Sequence, residues 1–276
     1  MPVLTPADVR TLLDEHGLRP SRALGQNFLA DPNTARRIAR LAGIEPGDRV
    51  LEIGPGLGSL TLALLDAGAR VTALELDRHL LPALQSVLAG RADVVVEQGD
   101  AQVFDYAQHL GEGPWLCISN LPYNVATPVV MRLLDEAPQV TRMLVMIQRE
   151  VGERLAARPG TRTYGAASVK VSYYAEAEVV GLVPPTVFVP RPKVESALVR
   201  IDRRPEPPVD VPSREALFAL VRAGFATRRK MLRRALRPVL GARTDDVLTA
   251  AGVAPTARAE ALDLDQWAAV AREAAR

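Results

Sequence analysis

The chain has 276 residues, 48% of them hydrophobic and 24% charged, with a formal net charge of +2. That supplies one good core and a smaller second one, and it leaves the distribution of charge more informative than its sum. A single cysteine, Cys117, excludes a disulfide framework and reads as a reduced core residue, and His16, His79 and His109 lie too far apart for metal-ligand spacing, so no metal is expected. No apolar run approaches the roughly 20 residues of a membrane span, and the N-terminus, MPVLTPADVR, lacks a signal-peptide layout; a cytoplasmic protein without a membrane partner is expected.

Thr5-Pro6-Ala7-Asp8 predicts a helix start, with Val9, Leu12 and Leu13 on one face and Gly17 as the stop. A loop, RPSRALGQNFLAD, precedes a second helix from about Pro32 to Ala42. Five short apolar runs follow, at 49–53, 69–75, 92–98, 114–119 and 141–147, with helix-like segments between them. This alternation predicts a mostly parallel α/β sheet with right-handed crossovers. Two more strand-like stretches, 167–176 and 197–202, have no long helix between them and read as an antiparallel pair at one edge. The proline-rich RRPEPPVDVP at 203–212 then marks a boundary, giving a catalytic domain over 1–204 and a small helical domain over 205–276.

The stretch LEIGPGLGSLT at 51–61 places Gly54, Gly56 and Gly58 after a strand and before a helix, where the backbone turns tightly and a ligand approaches without meeting a Cβ. The next strand ends in Glu75, placed to accept from ribose hydroxyls, and Asp100 ends the third, where a carboxylate meets an adenine amino group. Together they predict a nucleoside pocket at the carboxyl edge of the sheet. The spacing is GxGxG with Glu52 two positions ahead, which favours S-adenosylmethionine over a dinucleotide but leaves a nicotinamide oxidoreductase open.

After the fourth strand comes SNLPYNVATP, at 119–128. Asn120 therefore sits at the same sheet edge as the pocket. The exocyclic amine of adenine is a poor nucleophile because its lone pair is delocalised into the ring, and acceptors aimed at its two N–H groups draw the nitrogen towards tetrahedral geometry. Asn120 Oδ1 can supply one acceptor and the Leu121 carbonyl the other, with Pro122 stiffening the turn and Tyr123 offering a ring on which an extruded base stacks. A methyl donor that arrives already activated needs only alignment and electrostatics.

Seven stretches carry a resemblance that covers nearly the whole chain: LGQNFLAD (24–31), LEIGPGLGSLT (51–61), LELD (74–77), GDA (99–101), NLPYNVATP (120–128), VPPTVFVPRPKVESALVRI (183–201) and FATRRKMLRRAL (225–236). The chain resembles the bacterial small-subunit ribosomal RNA adenine dimethyltransferases, the kasugamycin-resistance family. The resemblance implies a class I methyltransferase sheet with a small helical C-terminal domain, a monomer acting on 16S ribosomal RNA in the small subunit or its precursor, and N6,N6-dimethyladenosine at two adjacent adenines of a hairpin near the 3′ end. It further implies Asn27 and Leu29 as cofactor contacts, Gly54 facing the methionine part, Glu75 the ribose, Asp100 the adenine and Asn120 closing the site, with Phe188 sandwiching the target base opposite Tyr123; Gly56, in the same glycine turn, is a further expected cofactor-binding residue. Pro128 follows the ribosome-assembly pattern, whereas large-subunit antibiotic-resistance methylases tend to carry an acid there; Val125-Ala126 departs from the frequent Ile-Ser of the family.

From 214 to 240 there are eight basic residues against one acid, Glu215. In FATRRKMLRRALR, Met231, Leu232, Ala235 and Leu236 form an apolar helix face, leaving Arg228, Arg229, Lys230, Arg233, Arg234 and Arg237 as a cationic stripe for an RNA backbone. Arg19 and Arg22 either extend this track or are solvated loop residues. Two other classes stay in view: a non-catalytic assembly factor with the same basic face, against which Asn120 to Tyr123 argue, and a DNA adenine methylase, for which no sequence-reading domain is apparent.

Overall fold

The computed structural model describes residues 1–276. The chain divides into two compact units, one of residues 1–152 with 178–203, the other of 153–177 with 204–276. The catalytic segment expected to run unbroken from 1 to 204 is thus interrupted, because 153–177 packs with the C-terminal residues.

In the first unit, helix α1 (Pro6–Glu15) opens on a reciprocal cap: Thr5 Oγ1 accepts from the Asp8 N–H at 3.3 Å while Asp8 Oδ2 accepts from the Thr5 N–H at 2.8 Å. Helix α2 (Pro32–Ala42) starts on Asp31, whose carboxylate accepts from Thr34 N–H at 2.9 Å, and ends on Gly43 in the left-handed region. These local signals are why both helices fall where the sequence puts them. Strand β1 (Phe28–Leu29) lies before α2. The main sheet contains β2 (Arg49–Ile53), β3 (Arg70–Glu75), β4 (Val94–Gln98), β5 (Trp115–Asn120), β6 (Val140–Gln148), β7 (Ala175–Val183) and β9 (Ser196–Arg203). The short strand β8 (Phe188–Val189) instead pairs antiparallel with β1. Helices α3 (Ser59–Asp66), α4 (Leu81–Leu88), α5 (Tyr106–Leu110) and α6 (Ala126–Glu136) provide the crossovers.

The strand order is β4-β3-β2-β5-β6-β9-β7. The pairs from β4 to β6 are parallel and β9 runs antiparallel to β6. The order reverses direction between β2 and β5, and at such a point the loops leaving two neighbouring strands diverge and open a crevice at their carboxyl ends. The loop after β2 is the glycine turn and the residue ending β5 is Asn120. Arg203 closes the last turn of α6, its guanidinium donating to the carbonyls of Leu133, Leu134 and Ala137 at 2.9, 3.1 and 3.2 Å. Cys117 is buried in β5, and burial pushes its thiol up to about 12, as befits an inert core residue.

The expected strand at 167–176 is a helix, α8 (Ala166–Tyr174), and the strand follows it as β7. The run VKVSYY has strand-like composition, but Ser168 Oγ accepts from the Gly165 N–H and donates to the Arg154 carbonyl, which starts a helix. Val169 and Tyr173 then pack in the core of the second unit. That core is built on α9 (Arg214–Ala226), α10 (Leu232–Ala235), α11 (Arg237–Leu240), α12 (Thr244–Ala250) and α13 (Leu264–Ala274), around Trp267. Gly224 is needed where α9 meets α13: a Cβ there would lie 2.5 Å from Trp267 Cη2. A further helix, α7 (Arg149–Leu155), precedes α8.

The basic stretch 225–237 is not one helix. Helix α9 ends at Ala226, residues 227–230 turn, and Leu232 N–H donates to the Ala257 carbonyl at 2.8 Å, redirecting the chain. Leu232, Ala235 and Leu236 are buried as the apolar face requires, whereas Met231 is exposed. The cations therefore lie on a turn and two short helices.

Candidate active site

The crevice at the β2/β5 switch point is lined by the glycine loop, the ends of β3 and β4, the strap 24–29 and residues 120–123. Asn27, Leu29, Gly54, Gly56, Glu75, Asp100, Asn120, Leu121, Pro122 and Tyr123 all border it.

The glycine loop is shaped from both sides. Gly54 and Gly56 have φ of +69° and +60°, and a Cβ on Gly56 would come within 2.9 Å of the Phe28 ring. Gly56 N–H donates to Glu75 Oε2 at 3.0 Å, and Asp77 N–H donates to Glu75 Oε1 at 2.9 Å. The buried Glu75 carboxylate thus fixes the loop to the next strand. Burial raises its pKa above the ordinary carboxylate range, the backbone donors of Asp77 and Gly56 oppose this, and the charge of Asp77 adds to it. Asp100 Oδ1 accepts from Gln102 N–H at 2.8 Å, which sets the carboxylate at the end of β4.

Behind the loop, Glu52 is 1% exposed and its Oε2 accepts no hydrogen bond; the hydroxyls of Ser59 and Thr61 are likewise buried without partners. Burial first, and the charge of Glu75 to a lesser degree, push the Glu52 carboxyl up to about 8. The Thr61 hydroxyl works the other way, near enough to favour the charged form without closing a bond of ordinary geometry. Orphaned buried polar atoms of this kind on a cavity wall mark a place where a polar ligand group has partners to meet.

Asn120 is oriented from across the cavity. Its Nδ2 donates to the Asn27 carbonyl at 3.2 Å, and Asn27 Nδ2 donates to the Gly25 carbonyl at 3.1 Å. The amide is thereby assigned with Oδ1 unengaged. Leu121 N–H donates to the Met146 carbonyl at 3.1 Å, which fixes the plane of the peptide it belongs to. The Tyr123 ring is half-buried, its hydroxyl sharing a 2.7 Å hydrogen bond with Ser196 Oγ. Burial raises the pKa of that phenol and the Ser196 bond opposes the rise.

Phe188 is not brought to the crevice. It is 3% exposed on β8, in register with Leu29, and packed in the core. The structure adds partners that sequence reasoning missed. Gln26 Nε2 donates to Asp77 Oδ2 at 2.8 Å, and Asn124 Nδ2 donates to the Ala23 carbonyl at 3.0 Å, so the first part of the strap is tied on two sides. The stretches LGQNFLAD and NLPYNVATP contain both amides, but nothing in their spacing states the pairing. No group of three or more metal-ligating side chains comes together, and no helix is long and apolar enough to cross a membrane.

The family model described as ribosomal RNA adenine dimethylase matches residues 18–276. The chain belongs to the ribosomal RNA adenine dimethylase family. "Ribosomal RNA small subunit methyltransferase A" of Cutibacterium acnes is 47% identical, over 97% of this chain and 93% of the relative. Among solved structures, the 23S rRNA methyltransferase ErmE superposes with a TM-score of 0.69 at 28% identity, covering 91% of this chain and all of that one. A dimethyladenosine transferase from Plasmodium falciparum gives 0.72 at 23% identity, over 88% of this chain and 95% of its own, and shows the shared fold. The sheet is thus the expected class I methyltransferase sheet, and this family member is an enzyme, an rRNA adenine dimethyltransferase.

Proposed function

We propose that the protein transfers methyl groups from S-adenosylmethionine to the exocyclic N6 of two adjacent adenines in the 3′-terminal hairpin of 16S ribosomal RNA, giving N6,N6-dimethyladenosine in the small subunit or its precursor, and that it does so as a cytoplasmic monomer. The observation that carries this reading is Asn120, whose amide is pinned by the Asn27 carbonyl with Oδ1 left unengaged beside the glycine loop.

The residues present fit S-adenosylmethionine. The side-chain-free turn at Gly54 and Gly56 accepts the methionine part, where Glu52 Oε2 and Ser59 Oγ have no partners, and Glu75 and Asp100 stand one strand apart for ribose and adenine. Asn27 and Leu29 cover the pocket from the strap. Bound there, the cofactor's sulfonium supplies an activated methyl group. In the first transfer Asn120 Oδ1 and the Leu121 carbonyl would accept from the two N–H groups of the target amine, and in the second one of them would accept from the single N–H that remains, each time turning the nitrogen lone pair towards the methyl group. The proton that the methylated nitrogen must lose would pass to solvent. Pro122 holds the turn; it lies against the loop so closely that a Cβ on Gly54 would come 3.3 Å from Pro122 Cδ. Tyr123 offers its ring face to the extruded base, positioned through Ser196. Because its hydroxyl is held in a hydrogen bond and stays a neutral phenol, it acts as a platform and not a base. Phe188 stays in the core, and the sandwich opposite Tyr123 is not part of this mechanism.

For RNA, the C-terminal unit offers Arg229, Lys230, Arg233, Arg234 and Arg237, all exposed and none facing a carboxylate. Arg228 is held by Glu260 at 2.8 Å and by the Arg162 carbonyl, so a phosphate has to compete for it. Salt-sensitive, sequence-independent contact is what such a cluster provides.

Calorimetric titration should show binding of S-adenosylmethionine and none of NAD, and a labelled methyl group should enter RNA and emerge on digestion as N6,N6-dimethyladenosine. A bound cofactor with no label in any RNA nucleoside would leave a non-catalytic binding protein and overturn the reading.

A further inference from the structure

On the outer side of the strap lies a second concavity, an open cleft of about 620 Å³ between the end of α1, the loop 18–26 and the turn from β3 into α4. Two of its lining side chains are guanidiniums, Arg19 and Arg78, and two imidazoles, His16 and His79, stand beside them. All four are exposed. They come from two segments far apart in the sequence, 16–19 after α1 and 78–79 in the turn from β3 into α4, so their convergence is a property of the fold and not of a charge run. Neither guanidinium has a carboxylate partner, in contrast to Arg91, Arg132 and Arg142, which are each paired. The one acid in the cleft, Asp77, has both oxygens occupied: Oδ2 accepts from Gln26 Nε2 at 2.8 Å and Oδ1 from the His79 N–H at 3.0 Å. These bonds hold the Asp77 carboxylate to Gln26 and to the backbone of its own turn, and it makes no ion pair with Arg19 or Arg78. Gln26 and Phe28 line this cleft and the methyl-transfer crevice alike, so one wall separates the two.

A concave site of this volume is large enough for a nucleotide, and planar guanidiniums from two elements suit phosphate oxygens. We propose that this cleft is a second RNA-backbone contact, carried by the catalytic unit itself, in which Arg19 and Arg78 hold phosphates of the RNA substrate. The inference rests on the reading of RNA as substrate and adds where the catalytic unit grips it. The C-terminal cluster supplies affinity at a distance along the chain from the chemistry, whereas a phosphate held in this cleft lies one wall away from the cofactor pocket and fixes the register of the strand that enters the crevice.

The test is fluorescence anisotropy with a labelled RNA hairpin carrying two adjacent adenines in its loop, titrated from low to moderate salt, for wild type, Arg19→Ser/Arg78→Ser and Arg19→Lys/Arg78→Lys. Two lost phosphate contacts should lower affinity about tenfold or more at low salt and reduce the slope of log K against log[salt] by between about 1.4 and 1.8, while the lysine pair keeps most of the slope. Affinity for S-adenosylmethionine without RNA should be unchanged in both variants. An unchanged slope and affinity in the serine pair would overturn the proposal, as would a loss of cofactor binding with RNA binding intact, which would assign the cleft to the cofactor pocket. Wild-type protein with no salt-dependent RNA binding would instead overturn the RNA reading itself, and the cleft with it.

Discussion

Replacing Glu52 by glutamine should remove part of the pH dependence of stability. In the folded chain this carboxyl is 1% exposed and its pKa stands near 8, against an ordinary value of 4.5. Between those two values the native state keeps a proton that the unfolded chain has released, so stability is fully present below the lower value and is lost as pH rises towards the upper one. At about 1.4 kcal/mol per pH unit, the loss accumulates to roughly 5 kcal/mol by pH 8 and then stays constant. Glutamine has the same shape and no proton to lose. Titration of groups distant from Glu52 largely cancels in the comparison, whereas the coupling to Glu75, a smaller cause of the Glu52 shift than burial, is removed with the carboxyl and forms part of the gap. Urea unfolding without cofactor, followed by circular dichroism and by the fluorescence of a Trp267→Phe background in which buried Trp115 is the remaining tryptophan, should show Glu52→Gln gaining on wild type steadily from pH 5 to pH 8, with the gap level above that. A gap that is constant across this range would mean that Glu52 titrates like a solvated carboxylate, and its burial behind the glycine loop would be wrong.

Asn120→Ala should cut the single-turnover rate by roughly 10²-fold, the scale for one preorganised polar contact in a reacting site, with RNA affinity nearly unchanged. Glu75→Ala should weaken S-adenosylmethionine binding by about 1 to 3 kcal/mol in calorimetry, and unchanged affinity would mean that its hydrogen bonds to Gly56 and Asp77 are its whole role. Alanine at Arg229, Arg233 and Arg234 should flatten the salt dependence of RNA binding by between about 2 and 3 in slope and leave cofactor binding intact; an unaltered slope would make the cluster a solvated surface.

What was legible in the sequence is what local chemistry decides. Thr5 with Asp8, and Asp31 before Pro32, set helix starts through bonds spanning three residues. The alternation of apolar runs gave the parallel sheet, and strand-end positions put Glu75, Asp100 and Asn120 on one edge, because parallel strands all finish on the same side. Long-range partnerships left no periodic trace. The Asn120 to Asn27 bond spans 93 residues and the Gln26 to Asp77 bond 51, and either amide reads equally well as a loop residue. Around 167–176, β-branched and aromatic composition pointed to a strand, while a serine cap and burial of Val169 and Tyr173 in the second unit favoured a helix. Phe188 was assigned by resemblance alone, and its pairing opposite Leu29 buries it.

The most direct measurement is mass spectrometry of 16S RNA from small subunits of a methylation-deficient strain, incubated with this protein and S-adenosylmethionine. The mechanism predicts N6,N6-dimethyladenosine at two adjacent adenines of the 3′-terminal hairpin, and little or none over the same interval with a folded Asn120→Ala variant. Unmodified adenines with wild-type protein, methyl groups on another atom, or an Asn120→Ala variant that matches wild type would contradict it.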